Sequence, residues 1–189
     1  VYKDGEGDAN FKVADVPKGR ELSSEFAANS VGTTLAGLNL EDVTPAAQAA
    51  PPADGKVKKA SFVTFDGISV AIEAWKDGEK HYARLVPSFD AAAADAAVVA
   101  AQAKAKAEFD AKPAPAEGAA KPEPPLAVAD PAKDKEQRLK ALNDEVAQIK
   151  ARTEGWTIVL PQHKFANIDK SIDDLLKPLE EKKAEVKKK

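Results

Sequence analysis

Two histidines, His81 and His163, are the imidazoles available to this 189-residue chain, so general-base or zinc chemistry of the usual kind would have to pass through one of them. Neither has a carboxylate at a recognisable ligand spacing, and no Gly-x-Ser-x-Gly elbow offers a serine nucleophile. Cysteine is absent, which removes thiolate chemistry and disulfides together. Asp4-Gly5-Glu6-Gly7-Asp8 alternates acids as a calcium loop does. Such a loop then needs glycine sixth and glutamate twelfth, where this chain has Ala9 and Asp15. The same glycines are not followed by Gly-Lys-Ser/Thr, so they form no phosphate cradle. Asp173-Asp174 and Glu180-Glu181 are adjacent acids, and glycoside hydrolysis does use paired carboxylates. Here they flank the apolar positions Leu175, Leu176 and Leu179, which makes a solvated helix face the better reading. The residues therefore predict no enzyme, no cofactor and no metal.

Contact chemistry is better represented. Trp75 and Trp156 are the two largest apolar side chains, and tryptophan is enriched at binding hot spots. Trp156 opens a β-branched run and reads as packing. Trp75, near a hairpin end with His81 and Tyr82 across from it, is the better contact candidate, and Tyr82 and Arg84 join it as possible interface residues. Trp75, Tyr82 and Arg84 also define an alternative, a ligand- or glycan-binding module on an open sheet face, which requires a concave pocket with converging polar groups.

The elements that must position these residues fall into an α+β pattern. Phe11 and Val13 alternate with polar residues in a strand ended by Pro17. Leu22, Phe26, Val31, Leu35 and Leu38 then predict a helix over about Ser24 to Ala36, and Leu38 to Val43 a second strand. Lys58 to Phe65, Ile68 to Trp75 and His81 to Val86 are rich in β-branched and aromatic residues. Asp66-Gly67 and Lys76-Asp77-Gly78-Glu79 separate them, so they read as a three-stranded antiparallel meander. An alanine-dominated helix runs from Phe89 to about Ala111, followed by a proline-rich linker over 112–130. Asp130-Pro131 restarts a helix whose Leu139, Leu142, Val146 and Ile149 recur at a/d spacing, and the alanine helix is its natural antiparallel partner. The hairpin's outer face is a second candidate interface. Gly155, a strand from Trp156 to Pro161 and a last helix bearing Ile168, Ile172, Leu175, Leu176 and Leu179 complete the chain. Pro178 is expected to kink or end that helix.

Strand, proline and amphipathic helix occur twice, from Phe11 to Leu38 and from Trp156 to Leu179, which predicts two equivalent β-α units on one small antiparallel or mixed sheet. Residues 1–88 and 155–189 then form one body, and 89–154 a helical hairpin inserted into it. The net charge of -3, with 31% of residues charged, describes a mixed surface with no general attraction to nucleic acid. No run is apolar and long enough to span a bilayer. The opening Val1-Tyr2-Lys3-Asp4 lacks the pattern of a signal peptide, so any anchor is expected upstream of Val1. The three closing lysines read as a solvated helix end.

Phe11-Lys12-Val13-Ala14-Asp15-Val16-Pro17-Lys18-Gly19-Arg20-Glu21-Leu22, the helix ending at Leu38-Asn39-Leu40-Glu41-Asp42-Val43, the Phe65-Asp66-Gly67 hairpin and Gly155-Trp156-Thr157-Ile158-Val159-Leu160-Pro161 together resemble the bacterial family called domain of unknown function 4340. The resemblance spans most of the chain outside the alanine-proline insert. It implies a membrane-anchored parent with its body on the periplasmic side of the inner membrane. The implied partners are protein subunits of an ABC transporter of the gliding-motility auxiliary type. It carries over no catalytic residue.

Overall fold

The computed structural model describes residues 1–53, 55–111, 124–126 and 128–179. Strand β1 (Arg20–Leu22) leads into helix α1 (Glu25–Gly32), then β2 (Asp42–Pro45), β3 (Lys58–Val63), β4 (Ile68–Asp77) and β5 (Lys80–Phe89). Two long helices follow, α2 (Ala91–Asp110) and α3 (Pro131–Thr153). The chain then forms β6 (Trp156–Val159), α4 (Gln162–Asp169), the single turn α5 (Ile172–Leu175) and β7 (Leu176–Pro178). The α+β class holds. β2-β6-β5-β4-β3 make a five-stranded sheet and β1-β7 a separate pair, and every pairing is antiparallel.

The meander forms where alternation and Asp66-Gly67 placed it, with β4 and β5 each reaching ten residues. Register sorts its side chains by face. Ala60 opposes Ile72, Ile72 opposes Leu85, and Ala74 opposes Ala83, so these share one face. That face is the core: Ile72, Ala74, Ala83, Ile158 and Leu160 are buried, with Leu35, Leu38, Phe62, Phe165 and Ile168 packed on them. The opposite face carries Trp75, Tyr82 and Arg84 at one end. At the other it carries Ser61, Val63, Ala71, Val86 and Ser88, all exposed.

The two long helices are capped as their first residues require. Asp90 accepts from the backbone N–H groups of Ala92 and Ala93 at 3.0 Å each, and Asp130 does the same for Ala132 and Lys133. α3 packs on α2 and along β5, so the hairpin folds back onto the body. Val146 is buried, and Leu139, Leu142 and Ile149 are half-buried along the same seam.

Four expectations are corrected. Residues 11–16 are not a strand. Asp15 sits at φ 54°, the Phe11 N–H is taken by the Asn29 side chain at 2.8 Å, and the Phe11 ring packs where a Cβ on Gly32 would stand. A lone bridge between Tyr2 and Lys12 is the pairing this region makes. Leu22, read as the first residue of a helical stripe, is in β1, and Phe26 of that stripe is 78% exposed while Ala28 is buried. The last helix is broken. Ser171 and Asp174 form a capping box that restarts a single turn, and Leu176–Pro178 leaves it to pair with β1. The two β-α units are therefore not equivalent, since β6 lies in the large sheet and β1 in the small one. The linker's Pro124, Pro125 and Leu126 line a cavity beside α2, with Leu126 buried. Residues 112–123, Ala127 and the tail from Glu180 lie outside the described residues.

Gly67 joins the hairpin to α2. It sits at φ 87°, accepts the Asp90 N–H at 2.9 Å, and a Cβ there would stand 2.7 Å from both the Asp90 carbonyl oxygen and the Ala94 nitrogen. Gly78, at φ 58°, faces open space. Gly67→Ala should therefore cost roughly 2–5 kcal/mol from strain plus backbone overlap. Gly78→Ala should cost about 1 kcal/mol from φ alone. Urea unfolding of both variants measures the difference; equal losses would contradict the close helix contact.

Candidate functional site

The groups that could do chemistry lie apart, and most of them have a local use. His81 lies on β5 with its ring 4.6 Å from that of Phe165, while His163 is exposed on α4. Among the described residues no three His, Cys, Asp or Glu side chains gather to hold a metal. Asp8 accepts from the backbone N–H groups of Asp4 and Gly5 at 2.9 and 3.0 Å, which makes the acidic opening a closed turn. Lys12 pairs with Asp4, and that hydrogen bond raises the lysine pKa. Asp174 accepts from the Ser171 hydroxyl and N–H at 2.8 Å each, which lowers its pKa. Asp173 lies 3.5 Å from the Arg20 guanidinium.

The expected contact triad is placed together but inward. Trp75 is 1% exposed, with its ring 5.9 Å from Tyr82 in a stacked arrangement and the Arg84 guanidinium 5.7 Å from its centroid. Arg84 donates to the carbonyl oxygens of Ala46 and Ala49 at 2.7 and 3.1 Å and to the Thr157 hydroxyl at 3.2 Å. That hydroxyl in turn donates to Ala49 at 3.1 Å. The triad clamps the loop after β2 over one end of the sheet. It lines neither of the two described cavities, and its guanidinium is committed to backbone carbonyls. Trp156, assigned to packing, is 41% exposed at the start of β6.

Sequence reasoning missed Asp134. It is 2% exposed and accepts from Gln102 on α2 at 2.8 Å, from Arg138 one turn along α3 at 2.8 Å, and from the Val128 backbone N–H. Gln102 also donates to the Pro131 carbonyl at 2.9 Å. One carboxylate thus ties both helices and their connection. Its signal was available, since 134, 138, 142 and 146 form one row at i+4 spacing that runs into the apolar seam.

Among the described residues, two adjoining surfaces at the β3 side of the large sheet are exposed. One is the outer edge of β3, which pairs with β4 and has no strand on its other side among the described residues. The other is the adjoining half-face, where Val63 and Val86 are 71% and 59% exposed, with Phe65 beside them at 50%. No helix among the described residues is long and apolar enough to cross a membrane. Comparison with known proteins gave no matching family model, curated protein or solved structure.

Two variants test this assignment of roles. Arg84→Ala should free the loop over Trp75, lower stability by roughly 2 kcal/mol, and shift Trp75 emission to the red when measured in a Trp156→Phe background. Unchanged emission would mean the clamp does not hold the loop. The Asp134 carboxyl is held below its ordinary value of 3.8, first by Gln102 and also by Arg138, against the opposing effect of burial. A depressed carboxyl stabilises fully above 3.8, and the contribution is lost as pH falls through the lower folded value. The stability gap between the native chain and Asp134→Asn should therefore be widest near neutrality and close in acid. A gap that does not vary with pH would contradict it.

Proposed function

We propose that this chain is a non-catalytic accessory domain of the bacterial cell envelope. It works on the periplasmic side of the inner membrane by docking protein partners of an ABC-type transport or gliding-motility complex. One observation carries the docking half of this reading. The groups that could react are dispersed or spent within local structure, whereas the β3 edge and the half-face around Val63, Phe65 and Val86 are exposed among the described residues. Edge strands with unpaired N–H and C=O groups are a recurrent means of adding a partner's strand, and adjacent apolar side chains supply pockets for its residues. Lys58 and Lys59 guard the start of that edge, which disfavours indiscriminate pairing. The envelope setting rests on the resemblance to the domain of unknown function 4340 family. The absence of cysteine is compatible with export.

The test is photo-cross-linking in native membranes, with the probe placed at Val63 or Val86 and, as a control, at Lys140 on the exposed face of α3. Transporter subunits should be captured from the first two positions and not from the third. Equal capture at all three would remove the proposed surface. Capture of no membrane component from any position, with hydrolytic turnover by the purified protein, would remove the function itself.

A further inference from the structure

Asp-Gly occurs four times, at 4–5, 54–55, 66–67 and 77–78. Such a pair is chemically labile. Glycine has no side chain to shield its nitrogen, which can reach the carboxyl carbon of the preceding aspartate and close a five-membered ring. How firmly both groups are held decides whether the ring closes, and three of the pairs are held differently. At Asp4-Gly5 the Gly5 N–H donates to Asp8 at 3.0 Å and the Asp4 carboxylate is paired with Lys12. At Asp66-Gly67 the carboxylate accepts from the Thr64 hydroxyl, the Gly67 N–H donates to the Thr64 carbonyl at 3.3 Å, and the start of α2 packs against the glycine. Asp77 and Gly78 are both exposed, and nothing lies within 4 Å of where a Gly78 Cβ would stand. Among the described residues no acceptor takes the Gly78 N–H and no cation pairs with Asp77.

The backbone at this pair is also the least supported part of its hairpin. β3 begins at Lys58 opposite Ala74, and the β5–β6 register ends at Tyr82 opposite Val159. Beyond those points the Leu160 N–H adds one bond to the His81 carbonyl, at 2.7 Å. The closing pair Asp77–Lys80 has no third strand beside it among the described residues. The ion pair of Lys80 with Asp42, at 3.6 Å, is exposed and adds little. A hairpin end of this kind opens locally at low cost, which gives Asp77 the rotation that ring closure needs.

We propose that Asp77-Gly78 is a modification site, where aspartate isomerises spontaneously in the folded protein, and that folding protects Asp4-Gly5 and Asp66-Gly67 from the same reaction. The Gly78 nitrogen attacks the side-chain carboxyl carbon of Asp77. A C–N bond forms, the nitrogen's proton and the carboxyl hydroxyl leave as water, and a cyclic imide results. Water then adds to one of the two imide carbonyls and breaks its bond to nitrogen. Opening at the side-chain carbonyl restores aspartate. Opening at the main-chain carbonyl leaves the chain running through the side chain, as isoaspartate, with one extra methylene in the turn that joins β4 to β5. The reaction is redox-neutral, and the site is independent of the docking reading.

The experiment ages the whole chain, folded and in urea, in heavy-oxygen water at neutral pH, where each passage through the ring leaves one heavy oxygen. Trypsin then releases the pairs separately, in peptides 4–12, 60–76 and 77–80, for mass spectrometry. In the folded chain, peptide 77–80 should gain label and an isoaspartyl form roughly tenfold faster than the other two, and in urea the three rates should converge. Asp54-Gly55, whose aspartate lies outside the described residues, falls in peptide 21–56 and does not enter the comparison. Asp77→Glu, which would need a six-membered ring, should abolish labelling of peptide 77–80 with the melting temperature unchanged. Any of three results overturns the site: equal rates for 77–80 and 60–76 in the folded chain, a rate difference that persists in urea, or labelling that survives Asp77→Glu.

Discussion

The structure depends on the burial of one face of the β4–β5 hairpin. Ala74 and Ala83 oppose each other there and are fully buried, with Ile72 beside them, Ile158 closing from β6 and Leu160 from the residue just after it. Two alanines at the centre leave room for the larger Leu35, Leu38, Phe165 and Ile168 to pack across, so segments from both ends of the chain share one core. Magnitudes favour this surface over the charges. A fully buried isoleucine or leucine contributes about 1.5–3 kcal/mol. The ion pairs Lys59–Glu73, Lys80–Asp42 and Lys104–Glu108 are exposed, and pairs of that kind contribute about 0–1 kcal/mol.

What the residues revealed beforehand was local. The meander, both long helices and their Asp caps follow from spacing and turn chemistry, because Asp66-Gly67, Asp90 and Asp130-Pro131 act within four residues of themselves. What stayed hidden was set by distant partners. Leu176–Pro178 has the composition of a helix end and becomes a strand because Arg20–Leu22, more than 150 residues earlier, offers an edge. Phe11 has the alternation of a strand and becomes a plug against Gly32 because α1 passes there.

The candidate site shows the same division. Trp75 is buried and Trp156 partly exposed, the reverse of expectation, because hairpin position does not report what covers a residue. The loop over Trp75 is fixed by Arg84 and Thr157, residues whose bonds to Ala46 and Ala49 no spacing rule anticipates. Asp134 was legible only in hindsight as the polar member of an apolar row. A buried carboxylate is costly unless it is paired and hydrogen-bonded, and here Gln102, Arg138 and Val128 donate to it.

The small β1–β7 sheet brings residue 20 beside residue 178, with the Leu179 N–H bonded to the Gly19 carbonyl at 2.8 Å. Residues 19 and 179, far apart in the chain, thus meet at one corner of the body. Force applied across that corner, at residues 19 and 179 themselves, would open this ladder one rung at a time, the weakest way to load hydrogen-bonded strands, and the five-stranded sheet would be spared until the opening was complete.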